Sequence, residues 1–407
     1  MGGGEGLRNI MVEEFRQLPL EEQRFEIVER KGLGHPDTIC DAVLDRVSVE
    51  LSAEYMKRFG AIMHHNADKS LLVAGEVETR FGGGRVIQPM LLIFGDRATT
   101  RVGDDTVPVE EIAIRAAKTW IRDNLRFVDP DQHLRYQVEL KPGSAALTDI
   151  FRRGGRILSA NDTSAAVGYA PMTPTERIVL DTERFLNSRE VKREFPALGE
   201  DIKVMGFRRD GDLSLTVGAA FVDRFVNDEN HYFRLKEEIT GRLKEFLAEN
   251  CEFNVSLKLN TLDVRGRGVD GVYLTVLGTS ADGADSGQVG RGNRPNGVIP
   301  LNRHVGSEAA AGKNPVSHVG KIYNILTHRI ANEIYIRVPG LREVYVWLVS
   351  EIGKPIDQPA IATARVIPEE SVSMKDIEEQ IRETFNSELD RMDKFCSELA
   401  QGKYLVC

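Results

Sequence analysis

The chain has 407 residues, of which 41% are apolar and 28% charged, with a formal net charge of -9. This is enough apolar material for a large buried core in two or three domains, and acidic and basic residues are mixed along it, which excludes a surface built to coat nucleic acid. Cys40, Cys251, Cys396 and Cys407 show no CxxC spacing, no run approaches membrane-span length, and there is no signal peptide or complete lipidation motif. The expectation is therefore a cytoplasmic protein with no membrane partner, no zinc site and no disulfide framework. Residues 1–20, with their glycine-rich start, are expected to form a flexible N-terminal extension.

In chain order, the first signal is Gly32-Leu33-Gly34-His35-Pro36-Asp37, ahead of a helical pattern over 38–59. Proline at the first helical position puts His35 at the N-cap and Asp37 in the first turn, where free N–H groups and the helix dipole attract phosphate and a carboxylate can hold Mg²⁺. An ordinary helix start is the competing reading of these residues alone. His64-His65-Asn66-Ala67-Asp68-Lys69 leads into a β-run over 71–79. Adjacent histidines on a strand point to opposite faces, so at most one can face a site and metal binding by the pair is disfavoured. Glu76 interrupts that apolar strand and needs solvent, a salt-bridge partner or an amine ligand. A strand over 86–94, a helix over 109–127 and a strand over 136–140 follow, and Lys141-Pro142-Gly143-Ser144 is a weak phosphate-loop candidate.

Asn161-Asp162-Thr163-Ser164, with Gly168-Tyr169-Ala170-Pro171 behind it, reads as a pocket wall. Thr173-Pro174-Thr175-Glu176 is a capping box that opens a helix over 176–187, and strands over 213–222, 253–262 and 272–278 flank a helix over 231–249. Residues 278–300 then place six glycines among Asp282, Asp285, Arg291 and Arg294. Glycine lets the main chain approach a ligand, clustered N–H groups with arginines suit a polyanion, and the aspartates suit an ammonium group, a ribose hydroxyl or Mg²⁺. A flexible surface connection is the alternative. Gly312-Lys313-Asn314-Pro315, before a helix over 316–335, is another anion-friendly turn, with His318 and Lys321 on its first turns. Strands over 343–351 and 361–367 and a helix over 374–399, entered at Ser373, complete the chain.

Blocks of strands and long helices predict an α/β (α+β) class: several similar α/β sandwiches with mixed sheets and helices on one sheet face, because the strands alternate apolar and polar. Domains are expected at 21–130, 131–265 and 266–407, with interleaved segments. The uncovered sheet faces then need solvent, another domain or a partner. No Walker A sequence, kinase His-Arg-Asp, Rossmann fingerprint or HExxH appears, so the residues alone lead to a Mg²⁺–ATP enzyme of unfamiliar fold. An ATP-dependent phosphotransferase acting on a small molecule is one rival. An RNA-binding module built on Arg291–Arg294 is another, weakened because 278–300 hold no aromatic on which a base could stack.

Taken in order, Gly-His-Pro-Asp, Asp-Thr-Ser with Gly-Tyr-Ala-Pro, Gly-Arg-Gly-Asn-Arg, and Ala-Ala-Ala-Gly-Lys-Asn-Pro with His-Val-Gly-Lys resemble the S-adenosylmethionine synthetase (methionine adenosyltransferase) family, in its archaeal-type branch, over most of 25–330. The resemblance implies three similar α/β domains about an approximate threefold axis. It implies a homodimer joined across flat sheet faces, or a dimer of such dimers. It implies ATP and L-methionine as substrates, with Mg²⁺ and in addition K⁺ as candidate cations, and no nucleic acid. By matched position it makes His35, Lys203, Arg291 and Lys313 catalytic, and Glu76 and Asp162 contacts of methionine. Gly143, Ser144, Asp285, Arg291, Arg294, Lys313, His318 and Lys321 become nucleotide contacts. Asp37 becomes a Mg²⁺ ligand, and Asp282 of the glycine-rich loop is the second metal candidate. Departures are that Gly292 stands where the bacterial and eukaryotic branch has lysine, that the potassium-site glutamate of that branch has no counterpart, and that 141–146 differ from the usual archaeal pattern.

Overall fold

The computed structural model describes residues 8–144, 151 and 157–407, so the glycine-rich start and Ala145-Ala146 of the weak phosphate loop lie outside the described residues. Three mixed sheets dominate, each assembled from segments far apart in sequence. The first joins Ile10–Glu14, Ile361–Pro368, Leu341–Val349 and Ala165–Ala170. The second joins Asn254–Leu259, Asp212–Val222, Leu198–Arg209, Phe25–Lys31 and Ile299–Pro300. The third joins Leu134–Lys141, Met90–Ala98, Leu71–Val73 and Gly287–Gln288. Read from its first strand, each sheet begins with one parallel pairing followed by two antiparallel ones. A pair of helices packs on each: Val319–Arg337 and Met374–Leu389 on the first, Pro174–Leu186 and Glu229–Asn250 on the second, Pro36–Phe59 and Val109–Asn124 on the third. The expected α+β class is what the chain forms, and the structural repeat leaves no crisp trace in the sequence.

One apolar core runs through the first and third sheets with their helices, and another fills the second. The opposite faces are half-covered. On the second sheet Phe25, Ile27, Glu29 and Lys31 share a face with their cross-strand partners Arg209, Phe207, Met205 and Lys203, while Val28 and Val204 are fully buried beneath the helices. On the third, Leu71 and Val73 pair with Ile93 and Leu91 on the outer face while Leu72 and Leu92 are buried. The period of two that predicted one covered face per sheet accounts for this.

Two expectations are corrected. Ile10–Glu14, expected inside the flexible extension, pairs in parallel with Ile361–Pro368 and buries Ile10, because an edge of that sheet offers its backbone groups a partner. The helix expected over 374–399 is two, Met374–Leu389 and Met392–Ala400, broken at Asp390-Arg391.

The layers are tied by a buried ionic cluster. Arg303 pairs with Glu176 of helix Pro174–Leu186 at 3.0 Å and with Glu343 of strand Leu341–Val349 at 3.4 Å, and it donates to Tyr345 Oη at 2.9 Å and Pro171 O at 3.0 Å. Its side chain and that of Glu176 have 0% exposure. Replacing Arg303 with methionine leaves two buried carboxylates unpaired, and a stability loss of about 3–5 kcal/mol is expected in chemical denaturation. A loss below about 1 kcal/mol, the range of an exposed pair, would show that the cluster is not what joins the layers.

Candidate active site

Strand Phe25–Lys31 leads through Gly32–Gly34 into helix Pro36–Phe59. Gly32 and Gly34 donate their N–H groups to the carbonyls of Ile202 and Glu200 at 2.7 and 2.9 Å, and a Cβ on Gly34 would stand 2.5 Å from the Asp201 nitrogen. The turn therefore needs glycine to press this close to the neighbouring strand. His35 takes the N-cap, with Nδ1 accepting from the Asp37 N–H at 3.2 Å, and Pro36 opens the first turn. Burial lowers the His35 pKa to about 4, Asp37 opposing this and Lys31 and Lys203 adding to it. The imidazole is neutral at pH 7, and because Nδ1 is an acceptor, Nε2 carries the proton and can donate.

Lys31 donates from Nζ to Asp37 Oδ2 at 2.8 Å and to Arg291 O at 2.6 Å, and Lys203, opposite Lys31 on the adjacent strand, pairs with Glu29 at 3.2 Å. The glycine-rich loop closes over the same helix end. Asp37 Oδ1 accepts from Gln288 N at 2.9 Å, Asp41 Oδ1 from Gly290 N at 2.8 Å, and the Asn293 amide both accepts from and donates to the Lys31 backbone at 2.9 and 2.8 Å. A Cβ on Gly292 would lie 2.2 Å from Asp41 Oδ2, which explains why no lysine stands there. Asp285 faces Asp201, a buried carboxyl that accepts from Ser280 N and Oγ at 2.8 and 2.6 Å and is pushed up to about 6, chiefly by burial.

Further along the same helix flank stand Asp45 and Ser48. Asp45 accepts from Lys321 Nζ at 2.6 Å, and Ser48 Oγ donates to Lys313 O at 2.8 Å and lies 2.8 Å from His65 Nε2. Lys313, 2% exposed, pairs with Asp68 at 2.6 Å and Glu308 at 3.2 Å, and Lys69 also meets Asp68, at 2.7 Å. His318 caps helix Val319–Arg337 through Nδ1, and burial, reinforced by Lys313, pushes it down to about 3. Asn161 Oδ1 accepts from Val319 N at 3.3 Å, which sets exposed Asp162 beside this helix start.

Two groups of the residues singled out from sequence thus line one helix: His35, Asp37, Lys203, Asp285 and Arg291 at its start, then Lys313, His318 and Lys321 along its flank, with Asp162 adjoining. Arg291 is exposed, and Arg294, half-buried, keeps a buried Nε without a hydrogen-bond partner beside Asp41 and Glu308. Glu76 lies exposed on the hairpin Glu76–Glu78 with Arg85–Gln88, bonded by Gln88 at 2.9 Å; next to it, Gly75 N–H donates to Ala281 O at 3.0 Å and ties the hairpin to the glycine-rich loop. Gly143 packs on the His64 ring, with Ser144 following. Asp282, the second metal candidate, is anchored in its own turn. Its Oδ2 accepts from Val276 and Leu277 N at 2.7 and 2.8 Å, and burial pushes it up to about 7. Lys31, Asp41, Asp45, Asp68 and Glu308 were not anticipated; the spacing of Asp37, Asp41 and Asp45, four residues apart in an apolar helix, was the available signal.

A family profile described as S-adenosylmethionine synthetase (AdoMet synthetase) matches residues 8–403. The chain belongs to this family. The S-adenosylmethionine synthase of Thermococcus onnurineus is 47% identical over 404 residues, 99% of each chain. That of Pyrococcus furiosus is 48% identical over 373 residues, 91% of this chain and 92% of the other. That of Methanothermobacter marburgensis is 43% identical over 397 residues, 98% and 99% of the two. These are archaeal relatives, in keeping with the archaeal-type motifs. Among solved structures, an unusual S-adenosylmethionine synthetase from Campylobacter jejuni matches with a TM-score of 0.57 over 93% of this chain and 94% of that one; at 15% identity this is a likeness of fold.

The low His35 pKa gives a test. Its folded value, about 4, lies below the ordinary 6.5, so its contribution to stability is complete above pH 6.5 and is lost as pH falls from there toward 4. Ring ¹⁵N NMR, assigned by comparison with His35→Asn, is expected to show the neutral Nε2–H tautomer at pH 6, with no titration near 6.5. A normal titration would contradict the buried N-cap.

Proposed function

We propose that the protein makes S-adenosylmethionine from L-methionine and ATP with the residues along helix Pro36–Phe59. The methionine sulfur attacks C5′ of ATP, the C5′–O5′ bond breaks, and the triphosphate that leaves is hydrolysed to pyrophosphate and phosphate. A thioether sulfur is neutral and needs no general base, so the protein's work is positioning and neutralising the leaving group. The observation that carries this reading is the convergence of Lys31, Lys203, Lys313 and Lys321 with a neutral, Nε2-protonated His35 and the N–H-rich loop in a member of this family. His35 would donate to the departing oxygen, with Lys203, Arg291 and Lys313 on the phosphates. Each such donor contributes about 10²–10³ in rate. Glu76 and Asp162, both exposed carboxylates, suit the methionine ammonium.

Among the described residues no group of three or more His, Cys, Asp or Glu could hold a metal ion. That accords with Mg²⁺, which takes one or two carboxylates and draws its other ligands from phosphate and water. Asp37 fits as the protein ligand, and the ion would neutralise triphosphate charge. Dependence on K⁺ is a matter for the assay, run with and without it. A phosphotransferase would release ADP and no sulfonium, and family membership does not favour it.

We assign the three domains to the three sheet-and-helix-pair units, so that the ranges 21–130, 131–265 and 266–407 exchange strands: Phe25–Lys31 and Ile299–Pro300 join the second sheet, Gly287–Gln288 the third. The half-covered sheet faces support a homodimer, alone or as a dimer of dimers. The free cysteines accord with a reducing cytoplasm, and no described helix is long and apolar enough to cross a membrane.

Incubation with ATP, methionine and Mg²⁺ is expected to give methionine-dependent sulfonium by mass spectrometry together with phosphate and pyrophosphate; ADP would refute the reading. Lys313→Ala is expected to lower kcat about 100-fold with little change in the methionine KM, since it acts on the leaving group. A defect confined to methionine binding would contradict that role. Phe207→Glu, which puts a charge on the exposed apolar face, is expected to shift the dimer toward monomer in sedimentation velocity and to lower activity with it.

A further inference from the structure

Asp96 stands in strand Met90–Ala98 with φ 102°, a backbone conformation that residues other than glycine rarely adopt. Such a costly conformation persists where the surroundings hold a side chain in place. Here the side chain is delivered to Asp68. Asp96 Oδ2 accepts from Asn66 Nδ2 at 3.1 Å, and the two aspartate carboxyls lie within hydrogen-bonding reach of each other. Asp68 Oδ2 is taken by Lys313 at 2.6 Å and Lys69 at 2.7 Å, while Asp68 Oδ1 is buried and meets no donor as long as both acids are ionised. Facing carboxylates disfavour each other's charge, and a proton on one of them lets it donate to the other.

We propose that Asp96 is a positioning residue for Lys313: as a neutral acid it donates a hydrogen bond to Asp68 Oδ1 and so fixes the Asp68 carboxylate with Oδ2 toward the lysine. This rests on reading Lys313 as a triphosphate group. The placement of the proton follows from the neighbours. Burial and the Asp68 charge push Asp96 up, with Lys69 and Arg97 opposing. Asp68 is held low because Lys313 and Lys69 outweigh its burial. The charged groups facing Asp96 are therefore Asp68, Lys69 and Arg97, whose Nε is 3.9 Å from Asp96 Oδ1; Lys313, with Glu308 and His318 behind it, acts through Asp68. The acid pair leaves Lys313 aimed by an anion that cannot swing.

The test compares wild type, D96N, D96A and K313A in S-adenosylmethionine formation and in hydrolysis of added tripolyphosphate, across pH. Asparagine keeps a donor to Asp68 Oδ1 but cannot titrate. The expectation is that D96A loses kcat about 10- to 100-fold in both reactions with methionine KM within about twofold, the cost of a misaimed group, while D96N stays within about threefold of wild type. Wild-type kcat should also fall on the alkaline side as Asp96 ionises and repels Asp68, and D96N should lack that fall. Equal damage in D96N and D96A, or the same alkaline limb in wild type and D96N, would overturn the inference. K313A inactive with D96A unimpaired overturns it alone, whereas a fully active K313A removes the Lys313 reading and this inference with it. The pH profile of D96N decides the matter even if D96A fails to fold.

Discussion

The polar flank of helix Pro36–Phe59 is the constraint on which the site depends. Asp37, Asp41, Asp45 and Ser48 each bind a different segment: Lys31 with the start of the glycine-rich loop, the Gly290 turn of that loop, Lys321, and the Lys313 backbone. These segments come from a strand of the second sheet, from the glycine-rich loop, and from helix Val319–Arg337 and the turn before it. A rigid helix sets them at fixed spacing, which loops packed on loops could not do. Burying carboxylates has a cost, and Asp41 registers it, pushed up to about 7 mainly by burial despite two backbone N–H bonds. The helix tolerates this because each carboxylate is met by a lysine or by amides.

The electrostatics of the site follow from that packing. Each lysine already has an acid: Lys31 with Asp37, Lys203 with Glu29, Lys313 with Asp68 and Glu308, Lys321 with Asp45. The histidines are the reverse case, with burial pushing His35 down to about 4 and His65 and His318 to about 3. Positive charge is thus carried by lysines whose partners hold them in place, and the imidazoles contribute hydrogen bonds without adding charge. A leaving group whose charge grows as the C–O bond breaks gains most from donors that need no rearrangement at that moment.

Much of this was legible because helix starts and glycine-dependent turns are local. His35 at its N-cap and the Thr173–Glu176 capping box are where their residues predict, since capping is decided within four positions. Periodicity does not pick out strands Phe25–Lys31 and Leu198–Arg209. In Phe25–Lys31 the apolar Phe25 and Ile27 stand on the outer face while Glu26 and Arg30 stand on the face of buried Val28, so neither face is uniform and the alternation is lost. Asp68 and Asp96 act through Lys313 and Asn66, 245 and 30 residues away, and no spacing rule reaches that far. The anchoring of Asp282 by its own turn, Oδ2 accepting from Val276 and Leu277 N, is likewise not visible in the composition of the loop.

In the proposed homodimer, the second sheet would link catalysis to assembly. Phe25, Ile27 and Phe207 lie on the same uncovered face as Glu29, Lys31 and Lys203, so the surface that leaves apolar area in water also carries two of the lysines proposed to meet phosphate. A partner seated on the apolar part removes water from the charged part. Charges interact about fourfold more strongly when the effective dielectric falls from that of water toward that of a protein surface. The gain is largest for a multiply charged leaving group, whose attraction to lysines is otherwise screened by solvent and salt. The monomer's Lys31–Asp37 and Lys203–Glu29 pairs also matter here. They let the cations be buried on assembly without a net charge being desolvated, which an unpaired lysine on an interface would not allow. In that dimer triphosphate would exchange for the carboxylates within a site that is already dry, so the sheet face proposed to join the subunits would also give its cations their strength.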